Sequence, residues 1–285
     1  MTDVDKIGPW SREKLDLLGT YLKTYTSILH KSREKTPPND KWPKSIDYID
    51  AFAGSVTPKD KASQEYINGS PLIALGTIPP FDKYIFIEKN KSKIKNKIAP
   101  LQALHPDKIT IIHGDCNAYI CNTLVKKYHP KCGKRAFIFL DPYGLSLNWH
   151  TVEVLGQAGV FDVFINFSVM GIYRQMSKYP PKPSSIKRIN TIMGCDDWIS
   201  EVYEEDEQLT LVDIGKIYNR KSKHLAERLA AFYSKRLNQH CFKFVSEPIM
   251  MRMKSTPLYA LILASQKDLA VKRMHEIFKR AARKR

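Results

Sequence analysis

Four carboxylates stand at the ends of short apolar runs. Ser45-Ile46-Asp47-Tyr48-Ile49 closes on Asp50, Tyr84-Ile85-Phe86-Ile87 on Glu88, Ile109-Thr110-Ile111-Ile112 on His113-Gly114-Asp115, and Ala136-Phe137-Ile138-Phe139-Leu140 on Asp141. An ionised carboxylate only accepts hydrogen bonds, and it does so through two oxygens. Four of them on one edge of a strongly basic chain suit a site that takes hydroxyls, amino groups or a cationic ligand. Taken singly, each could equally cap the helix that follows its strand. The first run continues into Ala51-Phe52-Ala53-Gly54, whose small residues let backbone N–H groups approach a bound molecule closely. A plain strand-to-loop junction with a tolerated glycine would read the same way.

Runs this apolar and this short are buried parallel strands. A fifth, Asp162-Val163-Phe164-Ile165-Asn166, ends at Phe167-Ser168. Helical or amphipathic segments alternate with them, including the lysine-rich 89–97 and Gly69-Ser70-Pro71-Leu72, where Ser70 reads as a cap. The alternation predicts an α/β fold, a doubly wound, mostly parallel sheet with ligands outside the carboxyl ends of its strands. Ahead of it, Leu15, Leu18, Leu22, Tyr25 and Leu29 recur at helical intervals behind Ser11 as a cap. The expected division is an N-terminal helix and connector over 1–44, a core over 45–170, a helical insertion or lid over 171–240, and closing strands with a basic helix over 241–285. Within the insertion, Ile217 to Leu237 reads as a basic amphipathic helix. The tail Lys279 to Arg285 is either a nucleic-acid contact or a solvated end.

Composition bounds the partners. The 285 residues are 43% apolar and carry a formal charge of +17, so the chain is globular and suits an acidic partner such as nucleic acid or a nucleotide. A solvated basic surface accounts for part of any such excess. Cys116, Cys121 and Cys132 match no common zinc spacing and read as reduced thiols of a cytoplasmic protein, with no metal expected. No apolar run approaches the roughly 20 residues of a membrane span. Met1 to Lys6 lacks the apolar stretch of a signal peptide.

The ordered acids resemble the S-adenosylmethionine-dependent methyltransferase fold. That resemblance implies S-adenosylmethionine as cofactor, with Glu88 accepting from the ribose hydroxyls and Asp115, beside Cys116, from the adenine amino group. Asp50, Phe52, Ala53 and Gly54 would face the methionine end. More closely, the chain resembles the three-Cys-motif partner (TcmP) family. The matching pieces are Trp10-Ser11 with Lys14-Leu15, Tyr21-Leu22 and Tyr25 through Ile28-Leu29, Tyr48 through Gly54, Gly69-Ser70-Pro71-Leu72, Phe86-Ile87-Glu88, Gly114-Asp115, Phe139 through Gly144, and Tyr259 to Ser265. Family kinship implies a bacterial or phage setting and an associated protein that carries three cysteines, distinct from those of this chain. The chain departs from the family's Phe-Ala-Gly-x-Gly at Ser55-Val56, where a second glycine is missing.

Asp141-Pro142-Tyr143-Gly144 sits where methyltransferases of exocyclic amines keep Asp-Pro-Pro-Tyr or a variant. There Asp141 and the Pro142 carbonyl would hold the amine and Tyr143 would stack the base. Phe167, Tyr173 and Arg174 would add base or phosphate contacts. Asp-Pro and Tyr-Gly are also common turn pairs. The expected function is methyl transfer to a nucleic-acid base or nucleotide amine. The other readings are a non-catalytic nucleic-acid-binding partner subunit and, with less support, a nuclease using the acids for Mg²⁺.

Overall fold

The computed structural model describes residues 5–37, 40, 42–176, 181–205, 218–220 and 224–282. Ile217, at the start of the expected amphipathic helix, and the terminal Arg283-Lys284-Arg285 lie outside them.

The apolar runs form the central sheet as β1 (Ser45–Asp50), β2 (Lys83–Glu88), β3 (Ile109–His113), β4 (Lys134–Leu140) and β5 (Phe161–Phe167), joined by β6 (Phe244–Val245), β7 (Ile249–Met253) and β8 (Thr256–Ser265). The order across the sheet is β6-β8-β5-β4-β1-β2-β3, and β7 also pairs with β8. β1 to β5 are mutually parallel, whereas β8 is antiparallel to β5, β6 and β7. The fold is therefore a doubly wound, mostly parallel Rossmann-like sheet. The chain winds outward from β1 through β2 to β3, then returns to the other side of β1 as β4. That reversal opens a crevice at the carboxyl ends of β1 and β4, the place where such sheets hold ligands.

Side chains alternate along each strand, so both faces must be covered. One face is aromatic: Tyr48, Tyr84, Phe86, Phe137, Phe139 and Phe164 pack with Leu18, Tyr21, Leu22 and Tyr25 of helix α1 (Pro9–Glu34). Phe137 stacks on Tyr48 at 6.1 Å and 11° and meets Tyr21 at 5.5 Å and Tyr25 at 5.7 Å. The closing helix α2 (Asp268–Ala282) covers the same face through Val271, Met274 and Phe278. The other face is aliphatic, with Ile49, Ile138, Leu140, Val163 and Ile165 under the helices Trp149–Ala158 and Leu225–His240. Trp198, Leu229 and Tyr233 of the 171–240 segment belong to that same cluster.

Several local readings change. Helix α1 begins two residues before Ser11, with Gly8 at its cap and Pro9 in its first turn. The segment read as a helix from Ile217 instead gives a short strand at Tyr218–Arg220, and the helix starts at Leu225, after His224 at φ 53°. The loop after Gly54 contains Lys59–Asp60, which pairs in parallel with Lys6–Ile7. A strap of residues 5–8 is thereby drawn towards the carboxyl edge of the sheet.

Candidate functional site

A cleft of about 330 Å³ opens at the reversal between β1 and β4. Asp141 to Gly144 form one wall, Phe52, Ser55 and Ser70 another, and the strap with Trp10, Ser11 and Lys14 a third; Asn166 and Tyr259 complete it. A larger groove of about 1020 Å³ runs between α1 and α2, but none of the strand-end acids lines it.

Asp141 is held from both sides. Lys14 Nζ donates to Oδ2 at 2.5 Å, and Asn166 Nδ2 donates to Oδ1 at 2.6 Å. The Asn166 amide has to turn its NH₂ to the carboxylate, and its own Oδ1 is buried without a partner among the described residues. Neither Lys14 nor Asn166 was singled out from the sequence as a site residue. Lys14 shares a helical stripe with Leu18, Tyr21 and Tyr25, so a cation on an apolar face was the available signal. Asn166 lies two residues beyond Phe164 on β5, a polar end to an apolar face.

Glu88 ends β2 and is 6% exposed. Its Oε1 accepts from the Asn90 backbone N–H at 2.7 Å, while Oε2 is buried with no partner among the described residues. Gly54 makes this packing possible, because a Cβ there would lie 2.1 Å from Glu88 Oε2 and 2.6 Å from Lys93 Cδ. Lys93 bridges to Tyr143 Oη at 2.7 Å and to Asp5 Oδ1 at 3.1 Å, and its ammonium sits 4.8 Å from the Tyr143 ring centre. The strap, Tyr143 and Lys93 thus meet beside the Glu88–Gly54 corner.

Asp50 is fully buried. Tyr48 Oη donates to its Oδ2 at 3.2 Å and the Phe52 N–H to its Oδ1 at 3.2 Å, while Ser70 turns its hydroxyl to the same carboxyl rather than capping its helix. Burial raises the Asp50 pKa to about 6, against the lowering effect of those donors. It braces the turn and is not itself open to the cleft. Phe52 lines the cleft; Ala53 is buried and its N–H is bound to the Ile87 carbonyl at 3.0 Å. The second glycine absent at Val56 has a counterpart in Gly69. Its N–H donates to the Val56 carbonyl at 2.7 Å, and a Cβ on it would come within 1.8 Å of the Ser55 oxygen.

Asp115 Oδ1 caps the following helix, accepting from Asn117 and Ala118 N–H at 2.9 and 3.2 Å, and its other oxygen lies 3.9 Å from Lys89 Nζ. Cys116 is buried, and desolvation pushes its thiol up to about 12, so it is an unreactive neutral group. Phe167 requires correction as a surface for a base. Its ring is 3% exposed and stacked on Tyr233 at 4.3 Å, which makes it part of the core. Tyr173 and Arg174 are exposed on the helix that follows β5, outside the cleft lining. Among the described residues no three of His, Cys, Asp and Glu gather as a metal's ligands would, and no helix is long and apolar enough to cross a membrane.

No protein-family model matches the sequence, and no curated protein matches it. Solved structures give loose likenesses. Human methyltransferase-like protein 13 in complex with SAH is 9% identical, with 96% of this chain and 92% of that chain covered at a TM-score of 0.40. The methyltransferase candidate YhhF of Escherichia coli is 10% identical, covering 78% of this chain and 77% of its own at 0.34. The N-terminal domain of EvdMO1 with SAH bound is 7% identical, covering 86% and 81% at 0.37. The fold itself follows from the strand order.

Proposed function

We propose that the chain binds S-adenosylmethionine at the carboxyl ends of β1 and β2 and methylates an exocyclic amine of a nucleic-acid base or nucleotide at Asp141. The observation that carries this reading is Glu88 Oε2, a buried carboxylate oxygen with no donor among the described residues, set against a glycine that has no room for a side chain. Such an orphaned acceptor costs free energy unless something donates to it, and a ribose hydroxyl supplies that donor. When bound, the cofactor contributes an electrophilic methyl group. Asp141, partly open on the cleft, accepts an N–H of the incoming amine and takes up the proton that the amine sheds. Tyr143 and Phe52 offer aromatic faces beside it. Kinship with the three-Cys-motif partner family, a three-cysteine protein partner and a cytoplasmic setting belong to the same proposal.

A second reading, a non-catalytic nucleic-acid-binding subunit, draws on Lys93, whose side chain crosses Gly54 and is tied down by Asp5 and Tyr143. Calorimetric titration with S-adenosylmethionine and S-adenosylhomocysteine separates the two. The methyltransferase reading expects micromolar binding that Glu88→Gln weakens about tenfold or more. Asp141→Asn should keep cofactor affinity within about twofold, yet abolish methyl transfer to tRNA, rRNA or DNA. No heat at millimolar ligand would leave the binding subunit as the better description.

A further inference from the structure

We infer that Lys14 is a specificity-determining residue that makes the acceptor site electrically neutral, selecting an uncharged heteroaromatic amine over an aliphatic ammonium such as a protein lysine. The inference rests on the acceptor role of Asp141 and goes beyond it, since a bare carboxylate in a cleft would favour a cation. Lys14 reaches that carboxylate from a helix packed on the opposite side of the crevice, and its side chain is 11% exposed. The pair therefore meets an entering ligand with no net charge. An ammonium would lose its hydration without gaining an unpaired counter-ion.

What the pair does offer is a donor beside an acceptor. The Lys14 ammonium has three N–H bonds, one of which is spent on Asp141, and the carboxylate has lone pairs beyond the two used by Lys14 and Asn166. An amino group next to a ring nitrogen or carbonyl, the edge of a nucleobase, complements that arrangement. Trp10, Phe52, Tyr143 and Tyr259 line the same cleft, so a planar ring entering it meets aromatic walls. Asn166, 2% exposed, has an acceptor oxygen that no group among the described residues satisfies.

Probes without cofactor keep this test separate from the cofactor site. Adenosine, cytidine and guanosine are titrated calorimetrically, as is Nα-acetyl-lysine methylamide, using the intact chain and Lys14→Met, Lys14→Arg and Asn166→Asp. The unaltered chain should bind at least one nucleoside and not the lysine amide. Lys14→Met should lose the nucleoside by about tenfold or more and gain the lysine amide. Lys14→Arg, which keeps the charge, should retain the original preference, and Asn166→Asp should gain the lysine amide as a second route to a net negative site. A clip that only fastens α1 to β4 would change unfolding midpoints while leaving the order of the probes unmoved. That outcome, binding of neither probe, or a lysine amide preferred by the unaltered chain would each overturn the inference. If cofactor titration fails while this preference is found, the cleft stands as a base-binding site without the transferase chemistry.

Discussion

Burial drives the Asp50 carboxyl up to about 6, from 3.8 for a free aspartate, although Ser70, the Phe52 N–H and Tyr48 all donate to it. A carboxyl with a higher pKa in the fold than in the unfolded chain favours the fold in its protonated form. Its contribution is intact below the unfolded value and is lost as pH rises through the folded one. Asp50→Asn removes the charge and keeps the shape. The unfolding free energy of the variant minus that of the unaltered chain should therefore grow by roughly 2–3 kcal/mol between pH 4 and pH 7. Urea titrations at both pH values check this, and a constant difference would mean that Asp50 is charged at little cost. The acids of the site were legible in the sequence because a strand end is a local feature. The partners of those acids were not, because Ser70 reaches Asp50, and Lys14 reaches Asp141, only after separate elements pack together. Asp115 is the converse case: the capping role weighed for it from sequence is the contact its Oδ1 makes.

Helix α1 places Lys14 over the cleft, and the helix is itself positioned by aromatic packing on β4. Phe137 is fully buried and touches Tyr21, Tyr25, Tyr48 and Phe164, so it couples the helix to three strands. Phe137→Ala should cost about 3–5 kcal/mol in urea unfolding, the range for deleting a buried phenylalanine. A cost under about 1 kcal/mol would show that α1 is held by something else. The five parallel strands could be read from sequence because both faces are covered, so each carries an apolar run, with buried Asp47, Arg135, Asp162 and Asn166 as polar exceptions inside the sheet. β7 is not legible in the sequence because Ile-Met-Met-Arg-Met has no alternation, and its register shifts between Met251 and Arg252. Pairing with β8, rather than its own pattern, makes it a strand. The helix expected from Ile217 failed at its start because periodicity cannot mark an end where no cap is present, and His224 supplies no side-chain cap.

Across the whole molecule, the charge of +17 has a local expression. Lys89, Lys91 and Lys95 are exposed in the segment directly after β2, and Lys6 and Arg174 are exposed on the strap and after β5. A nucleic acid whose base enters the cleft would lay its phosphates along these cations. Replacing Lys89, Lys91 and Lys95 with Gln should flatten the dependence of log affinity on log salt by up to about 2 for a single strand. An affinity indifferent to salt in the unaltered chain would remove nucleic acid from the proposal. One more property follows from the position of β8. It is the last strand in sequence, yet it lies inside the sheet between β5 and β6 and carries Tyr259 to the cleft. A chain emerging from the ribosome thus holds β5 as an open edge until residues 256–265 appear, and during that interval its bare backbone groups offer a template to any neighbouring strand. Assembly of the cleft for the same reason waits on β8, and a chain stopped before Thr256 should be a product that chaperones retain rather than one with partial activity.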